Sequence, residues 1–546
     1  MNRLKRLLQP IPSIRKRLSI LLLGVTLTAS LCPFAPIPRA DSAGLPFRDI
    51  AGSYAKDAII RLYQMHLIEG TGQGYFEPAK PITRAEMTAM IGRVFGLEPV
   101  DAPISGYIDV APTSWYYPWV MAAVHSGIAT GVTNNVFEPN RLVTRQDAAV
   151  LLARAANLSA ANDPARAAAG AYHDQADISA YALDAVMLVK RLGLMQGDGR
   201  TFRPKAPITR QEAAVLLDRA LQRSSWAAQF AKAPDMRIQL GWQYALSTAE
   251  YKMRVLQSDI NTLSPRWLFL DKTGLNSSGL DPDLVDWAHR NGKRVWVLVG
   301  NRFNRQLTHD VLSDTGKRRA LVDDLFNVVN NNGIDGLNID FENVGGQDRA
   351  AFTAFIGELS AALDKVGATL SVDLSPDAGT DWTNAYDYAE LGKLADYIVL
   401  MGYDEHWGGG TAGSVSSLPW LQTGLGTLLK VVPSSKVILG LPLYTRNWPD
   451  GGAGEDWSLI QQNEAVRVRG LSPQWQPDLA QYAAQYRFGS KSYRLWLEDG
   501  RSLSAKVRMG EQHGVAGYAY WYIGSESADV WTSLRNAMRF SGYRLK

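Results

Sequence analysis

The sequence predicts two architectures in one chain: α-helical repeats in its first half, then an α/β (β/α)8 barrel, a TIM barrel, carrying a small α+β insertion. Three observations carry this expectation. A segment with the same order of motifs recurs three times before residue 224. After it, eight apolar, strand-like runs alternate with helical patterns. The G-x-G-x-x-G at 408–413 lies in a glycine-rich loop that opens no helical pattern directly off a strand, and no G-x-x-x-x-G-K-[ST] loop is present, so an open, doubly wound sheet is not favoured.

Composition sets the outer bounds. A chain of 546 residues is too long for one ordinary domain, and 46% apolar with 20% charged residues is a globular balance. The formal charge of +4 is concentrated at the front, where Arg3, Lys5, Arg6, Arg15, Lys16, Arg17 and Arg39 face Asp41 alone. Setting that segment aside removes a net +6 and leaves −2, so nothing points to nucleic acid as a partner. Its basic start, apolar run over 18–31 and small, Pro-rich end read as an export signal over 1–43. The run is short for a bilayer, so no stable membrane span is expected once the signal is removed. The single cysteine, Cys32, lies in that segment in a poor lipoprotein context, which leaves no disulfide or thiol chemistry elsewhere. An exported chain of this kind fits a Gram-positive-type surface.

The repeats span 46–97, 106–158 and 171–221, and the predicted units are 44–103, 104–167 and 168–223. Each opens on aromatic-x-Asp, giving Asp49, Asp109 and Asp174. Each continues through an amphipathic helix pattern, a glycine turn and Phe-x-Pro, and closes on Thr-Arg-x-acid. The closing element is a capping box, in which the Thr hydroxyl and the acid three residues on satisfy free N–H groups at a helix start. Capping does not explain the arginine at the same place each time, Arg84, Arg145 and Arg210. An arginine beside free backbone N–H groups suits an anionic ligand. Ala-rich stretches at 159–170 and 224–235 read as linkers.

From 236 to 546 the predicted strands are 236–241, 266–270, 294–299, 336–342, 369–374, 397–403, 436–442 and 515–521, with an α+β insertion at about 444–514. Barrel chemistry gathers at the C-terminal strand ends. The fourth strand lies in GIDGLNIDFENV, residues 333–344, where alternation puts Asn338, Asp340 and Glu342 on one face and Leu337, Ile339 and Phe341 on the other. Carboxylates two positions apart on one face repel, which raises one pKa and yields an acid near neutral pH. The same rim gathers Trp242, Tyr244, Asn301, Phe303, Tyr403, Asp404, Tyr444, Arg446, Trp448, Trp521 and Tyr522. Aromatics concentrated at one rim suit the flat, apolar faces of sugar rings. His173, His289, His309, His406 and His513 stand singly, so neither a metal site nor a cofactor is expected.

The repeats resemble S-layer homology domains, which dock in threes onto secondary cell-wall polysaccharides. That resemblance implies polymer contacts at Asp49, Arg84, Asp109, Trp115, Arg145, Asp174 and Arg210. The barrel resembles glycoside hydrolase family 18, whose Asp-x-x-Asp-x-Asp-x-Glu signature maps here to Asp335, Asn338, Asp340 and Glu342. The Met-x-Tyr-Asp at 401–404 and Trp521 fit the same family, and the run 496–506 is similar to its spore-cortex and germination branch. The resemblance implies that Glu342 is the general acid and that the substrate's own acetamido group is the nucleophile. Asp340 then orients that group, Tyr403 binds its oxygen with Asp404 in support, and Trp521 forms the sugar floor. Asn338, Trp242, Asn301 and Tyr444 are the further substrate contacts expected. The implied protein is a cell-surface-anchored hydrolase of β-linked N-acetylglucosamine glycans, either peptidoglycan or chitin-like. The alternatives are a lectin-like, non-catalytic surface-layer protein and a structural surface protein with the barrel as passenger.

Overall fold

The computed structural model describes residues 45–158, 172–272, 274–543 and 545. The expected export segment and the first Ala-rich stretch lie outside them.

Each repeat supplies a helix pair: Lys56–Gln64 with Arg84–Val94, Tyr117–His125 with Arg145–Ala155, and Leu183–Arg191 with Arg210–Gln222. Thr83, Thr144 and Thr209 each cap the second helix, accepting from the N–H three residues on. Glu86 and Glu212 reach back to complete the capping box, while Asp147, one methylene shorter, caps less fully. The residues just before these caps close a three-membered ring. Ile82 N–H donates to the Ile208 carbonyl (3.0 Å), Ile208 to Val143 (2.9 Å) and Val143 back to Ile82 (3.0 Å).

The ring also claims the arginines. Arg145 donates Nε to the Phe202 carbonyl (2.8 Å), Nη2 to the Gln196 carbonyl (2.9 Å) and Nη1 to Glu212 (2.9 Å). Arg210 repeats the set on the Phe76 carbonyl (2.8 Å), the Glu69 carbonyl (2.9 Å) and Glu86 (3.1 Å). Arg84 lies over the Phe137 ring at 4.6 Å and donates to the Thr130 carbonyl, with its buried Nε unpaired. Asp49, Asp109 and Asp174 each accept two backbone N–H groups at the Phe-x-Pro turn, at 2.6–2.9 Å. These arginines and aspartates therefore have structural partners, and Asp109 and Arg210 also line surface cavities. Arg145 and Arg210 hold one repeat to the next, while each aspartate braces the Phe-x-Pro turn of its own repeat. Trp115, 59% exposed, is free to make contacts.

The barrel strands are β1 (Ile238–Gln243), β2 (Thr262–Asp271), β4 (Arg294–Gly300), β5 (Gly336–Asp340), β6 (Thr369–Leu374), β7 (Tyr397–Met401), β8 (Val437–Pro442) and β14 (Gly517–Trp521). A short β3 (Gly274–Asn276), not foreseen from the sequence, folds back antiparallel on β2. The other eight pair in parallel in the order β1-β14-β8-β7-β6-β5-β4-β2, and β1–β2 pairing closes the barrel. On β5, Leu337 and Ile339 point outward and are fully buried against the helices, and Phe341 stacks on Phe355 of the helix Arg349–Leu363. The opposite face turns inward, where Trp242, Trp296, Leu298, Val399 and Met401 fill the barrel.

The insertion is a five-stranded antiparallel sheet of β9 (Tyr444–Pro449), β10 (Glu455–Ser458), β11 (Gln474–Gln476), β12 (Gln481–Phe488) and β13 (Lys491–Leu497). It ends at Leu497 rather than near 514, because the helix Gly500–His513 belongs to the barrel wall, its Val507 carbonyl accepting from Tyr518 of β14 at 2.9 Å. The expected linker at 224–235 is also corrected, since Ser224–Phe230 is a helix with Trp226 fully buried. Nor do the two halves merely hang together. The helix Val530–Ser541 meets the repeats through Arg535 with Glu98 (2.7 Å), Asn536 with the Glu98 backbone (2.8 Å) and Ser533 with the buried His125 (2.9 Å).

Candidate active site

β5 ends at Asp340, and Glu342 lies just beyond it, at the mouth. Asn301, after β4, holds that turn on both sides. Its amide donates to the Glu342 carbonyl (2.7 Å), and its oxygen accepts the Glu342 N–H (3.1 Å). Asn343 follows in a left-handed conformation, φ 54°, which asparagine tolerates better than most residues. The Glu342 side chain thus leaves a fixed backbone and faces a cavity of about 350 Å³. Tyr244, Arg266, Phe303, Asp340, Tyr444, Trp457, Trp521 and Tyr522 stand around the same cavity.

Asp340, Glu342 and Asp373 gather here, with Asp456 on the cavity wall and Asp404 close enough to act on Glu342. Burial raises the Asp340 pKa to about 6, with Arg266 opposing the rise. Glu342 is pushed well above the usual carboxylate range, first by burial, then by Asp340 and Asp404, again against Arg266. Asp373, at the end of β6, is raised by its own burial and by Asp340. Sequence reading passed over Asp373, a lone Asp in an apolar strand. The signal for it was position: it points inward on the strand beside β5, two residues past Ser371, the register partner of Asn338.

Four sequence expectations are corrected. Asn338 is fully buried beneath Asp340. It donates to Asp373 (2.6 Å) and Ser371 (3.0 Å) and accepts from Trp242 Nε1 (2.7 Å), so it positions a neighbour rather than a sugar. Trp242, 1% exposed, is committed to that bond. Asn301 is a clamp on the Glu342 backbone, not a substrate contact. Asp404 does not support Tyr403: it accepts from Tyr444 (2.5 Å) and Arg446 (2.6 Å). Tyr403 stands edge-on to Trp242 and Tyr444, at 6.5 and 6.2 Å between ring centres. Trp521 is edge-on to Trp242 at 5.8 Å and faces the cavity, as does Tyr444. Among the described residues, no cluster of His, Cys, Asp and Glu could hold a metal ion.

Residues 266–526 match the glycosyl hydrolases family 18, and 46–88, 107–149 and 171–214 match the S-layer homology domain. The chain carries a family 18 glycosidase domain behind three S-layer homology domains. It is 27% identical over 294 residues to the uncharacterized glycosylase YvbX of Bacillus subtilis, a match covering 51% of this chain and 85% of that one. It is 26% identical over 256 residues to the cortical fragment-lytic enzyme of the same species, covering 43% of this chain and 57% of that enzyme. A crystal structure of a chitinase from Chromobacterium violaceum shares the fold of the family 18 domain, with TM-score 0.52 and 21% identity over 55% of this chain and 99% of that one. The S-layer homology domains indicate association with the cell surface, and among the described residues no helix is long and apolar enough to cross a membrane.

Proposed function

We propose that the family 18 domain hydrolyses β-linked N-acetylglucosamine glycans by substrate-assisted, retaining catalysis. The observation that carries this is the Asp340–Glu342 pair at the foot of an aromatic-walled cavity, where burial and the neighbouring Asp340 push the Glu342 pKa well above the usual carboxylate range. Glu342 gives its proton to the glycosidic oxygen as the C1–O bond breaks. The acetamido carbonyl oxygen of the same sugar closes on C1, so no protein nucleophile is needed. Asp340 accepts the acetamide N–H and balances the oxazolinium charge, and the Tyr403 hydroxyl donates to the acetamide oxygen. Trp521 supplies the flat surface under the sugar. Glu342, now a carboxylate, takes a proton from water, which opens the oxazolinium with net retention.

Asp340 holds up the Glu342 pKa by like-charge repulsion, which gives a test with a sign. In Asp340→Asn the repulsion is gone, the Glu342 pKa falls, and the basic limb of the kcat/KM profile moves to lower pH. A limb that stays in place in the residual activity sinks this assignment of the pair.

For the S-layer homology domains we propose export, anchorage on a secondary cell-wall polysaccharide and a Gram-positive-type surface. The polymer is read by the groove lined by Thr71, Lys80, Arg93 and Trp115, a cavity of about 400 Å³ that Glu69, Glu86 and the bridging Arg210 also line. Trp115 offers a sugar-stacking face, and Lys80 and Arg93, paired with Glu77 and Glu69, stand beside it as donors to the polymer.

A further inference from the structure

Among the described residues Arg266 is the one cation lining the family 18 cavity, and the catalytic steps give it no task. It projects from β2 at a register shift in the pairing with β4, so the strand itself turns it toward the mouth. Its guanidinium sits inside an aromatic collar, 5.1 Å from the centre of the Tyr244 ring and 5.6 Å from those of Trp521 and Phe269. Among the described residues no hydrogen bond or ion pair engages it, and its Nε is buried without a partner. This contrasts with Arg446, also near the mouth, which is matched by Asp404 and Asp456. A buried guanidinium Nε left unpaired is costly, and a ligand acceptor would complete it.

The ligand must satisfy two conditions. It must be part of a glycan, because the collar around Arg266 is the same aromatic wall that receives the sugar. It must also carry an acceptor matching a guanidinium, and a planar carboxylate does so with two parallel bonds. Chitin chains are neutral. Peptidoglycan strands carry a 3-O-lactyl group on alternate sugars, and its carboxylate is free wherever the peptide stem has been removed.

We propose that Arg266 is a specificity-determining residue that binds the lactyl carboxylate of a sugar next to the one being cleaved, so that the enzyme favours stem-free peptidoglycan strands over chitin. This rests on reading the cavity as a glycan hydrolase site. It also fixes an order of reactions: hydrolysis of the amide between the lactyl group and the peptide must come first, because it creates the carboxylate.

The test is binding to full-length protein in the Glu342→Gln background, which does not consume its ligand. The probes are stem-free strands prepared with an amidase, the same strands with the lactyl carboxyl converted to a primary amide, and N-acetylglucosamine oligomers. Carboxylated strands are expected to bind about ten- to a hundred-fold tighter than amidated ones, as a charge-assisted pair requires. Arg266→Gln removes that preference while leaving the oligomer affinity within about threefold, and Arg266→Lys restores part of it. Equal affinity for the two strand forms, or equal loss on every ligand in Arg266→Gln, overturns the proposal. A preserved carboxylate preference in a protein whose wild type cleaves none of these glycans supports the Arg266 assignment and instead sinks the hydrolase reading. An electrostatic effect of Arg266 on the acids is separable. Because Arg266 lowers the Glu342 pKa, Arg266→Gln moves the basic limb of the pH profile upward on all substrates alike.

Discussion

Glu342→Gln lowers glycan hydrolysis by about 10²–10⁴-fold, the range a lost general acid accounts for. The loss falls on kcat with little change in KM, because the amide fills the same space and the sugar contacts are untouched. The backbone stays in place for a reason visible in the structure: Asn301 grips residue 342 through its N–H and carbonyl, and neither bond involves the side chain. The measurement is release of reducing ends from peptidoglycan and chitin oligomers, beside a melting curve matching that of the wild type. A variant that retains more than a tenth of the turnover removes Glu342 from the role of proton donor. Asn301→Ala is the informative companion, because it frees the turn while leaving the carboxyl. A fall in kcat there identifies the clamp as part of what aims the acid.

The barrel was legible because its strands are apolar on both faces except where they end. Period-two alternation correctly placed Asn338 and Asp340 on the inward side of β5. What alternation does not carry is height. Inward residues of a closed barrel lie in layers, and only the uppermost meets the cavity. Asn338 lies in the layer below, where Trp242, Ser264, Ser371 and Asp373 surround it and satisfy its amide. Asp340 is one layer up, and Glu342 lies past the strand. Three inward polar residues therefore have three different roles, which strand register assigns and sequence spacing cannot. Trp242 was misplaced for the same reason. Arg266 and Asp373 went unnoticed because each is a single charge in an apolar run, and their meaning depends on neighbours distant in sequence. The insertion was overextended because the helix Gly500–His513 follows β13 directly, with no composition change to mark where the barrel resumes.

Arg210→Ala destabilises the S-layer homology region by about 3 kcal/mol or more, the range for removing one partner of a buried, hydrogen-bonded ion pair. Its side chain is 6% exposed and touches Glu86 and two carbonyls from the first repeat, so it ties the third repeat back to the start of the ring. Removal leaves Glu86, the capping acid of the helix Arg84–Val94, without its cation, and leaves the Phe76 and Glu69 carbonyls short of a donor. The variant therefore unfolds at lower temperature and lower urea, read by thermal melting and by proteolysis between the repeats. Arg84→Ala is the internal contrast. Arg84 has no matching carboxylate, because Asp147 is too short and is taken by Arg141 and Tyr181. Its loss costs about 1 kcal/mol, the worth of a single ordinary hydrogen bond. If Arg210 were instead a polymer contact, Arg210→Ala would melt with the wild type and lose only its hold on cell-wall polysaccharide. The two outcomes separate a keystone of the ring from a ligand-binding residue in one pair of measurements.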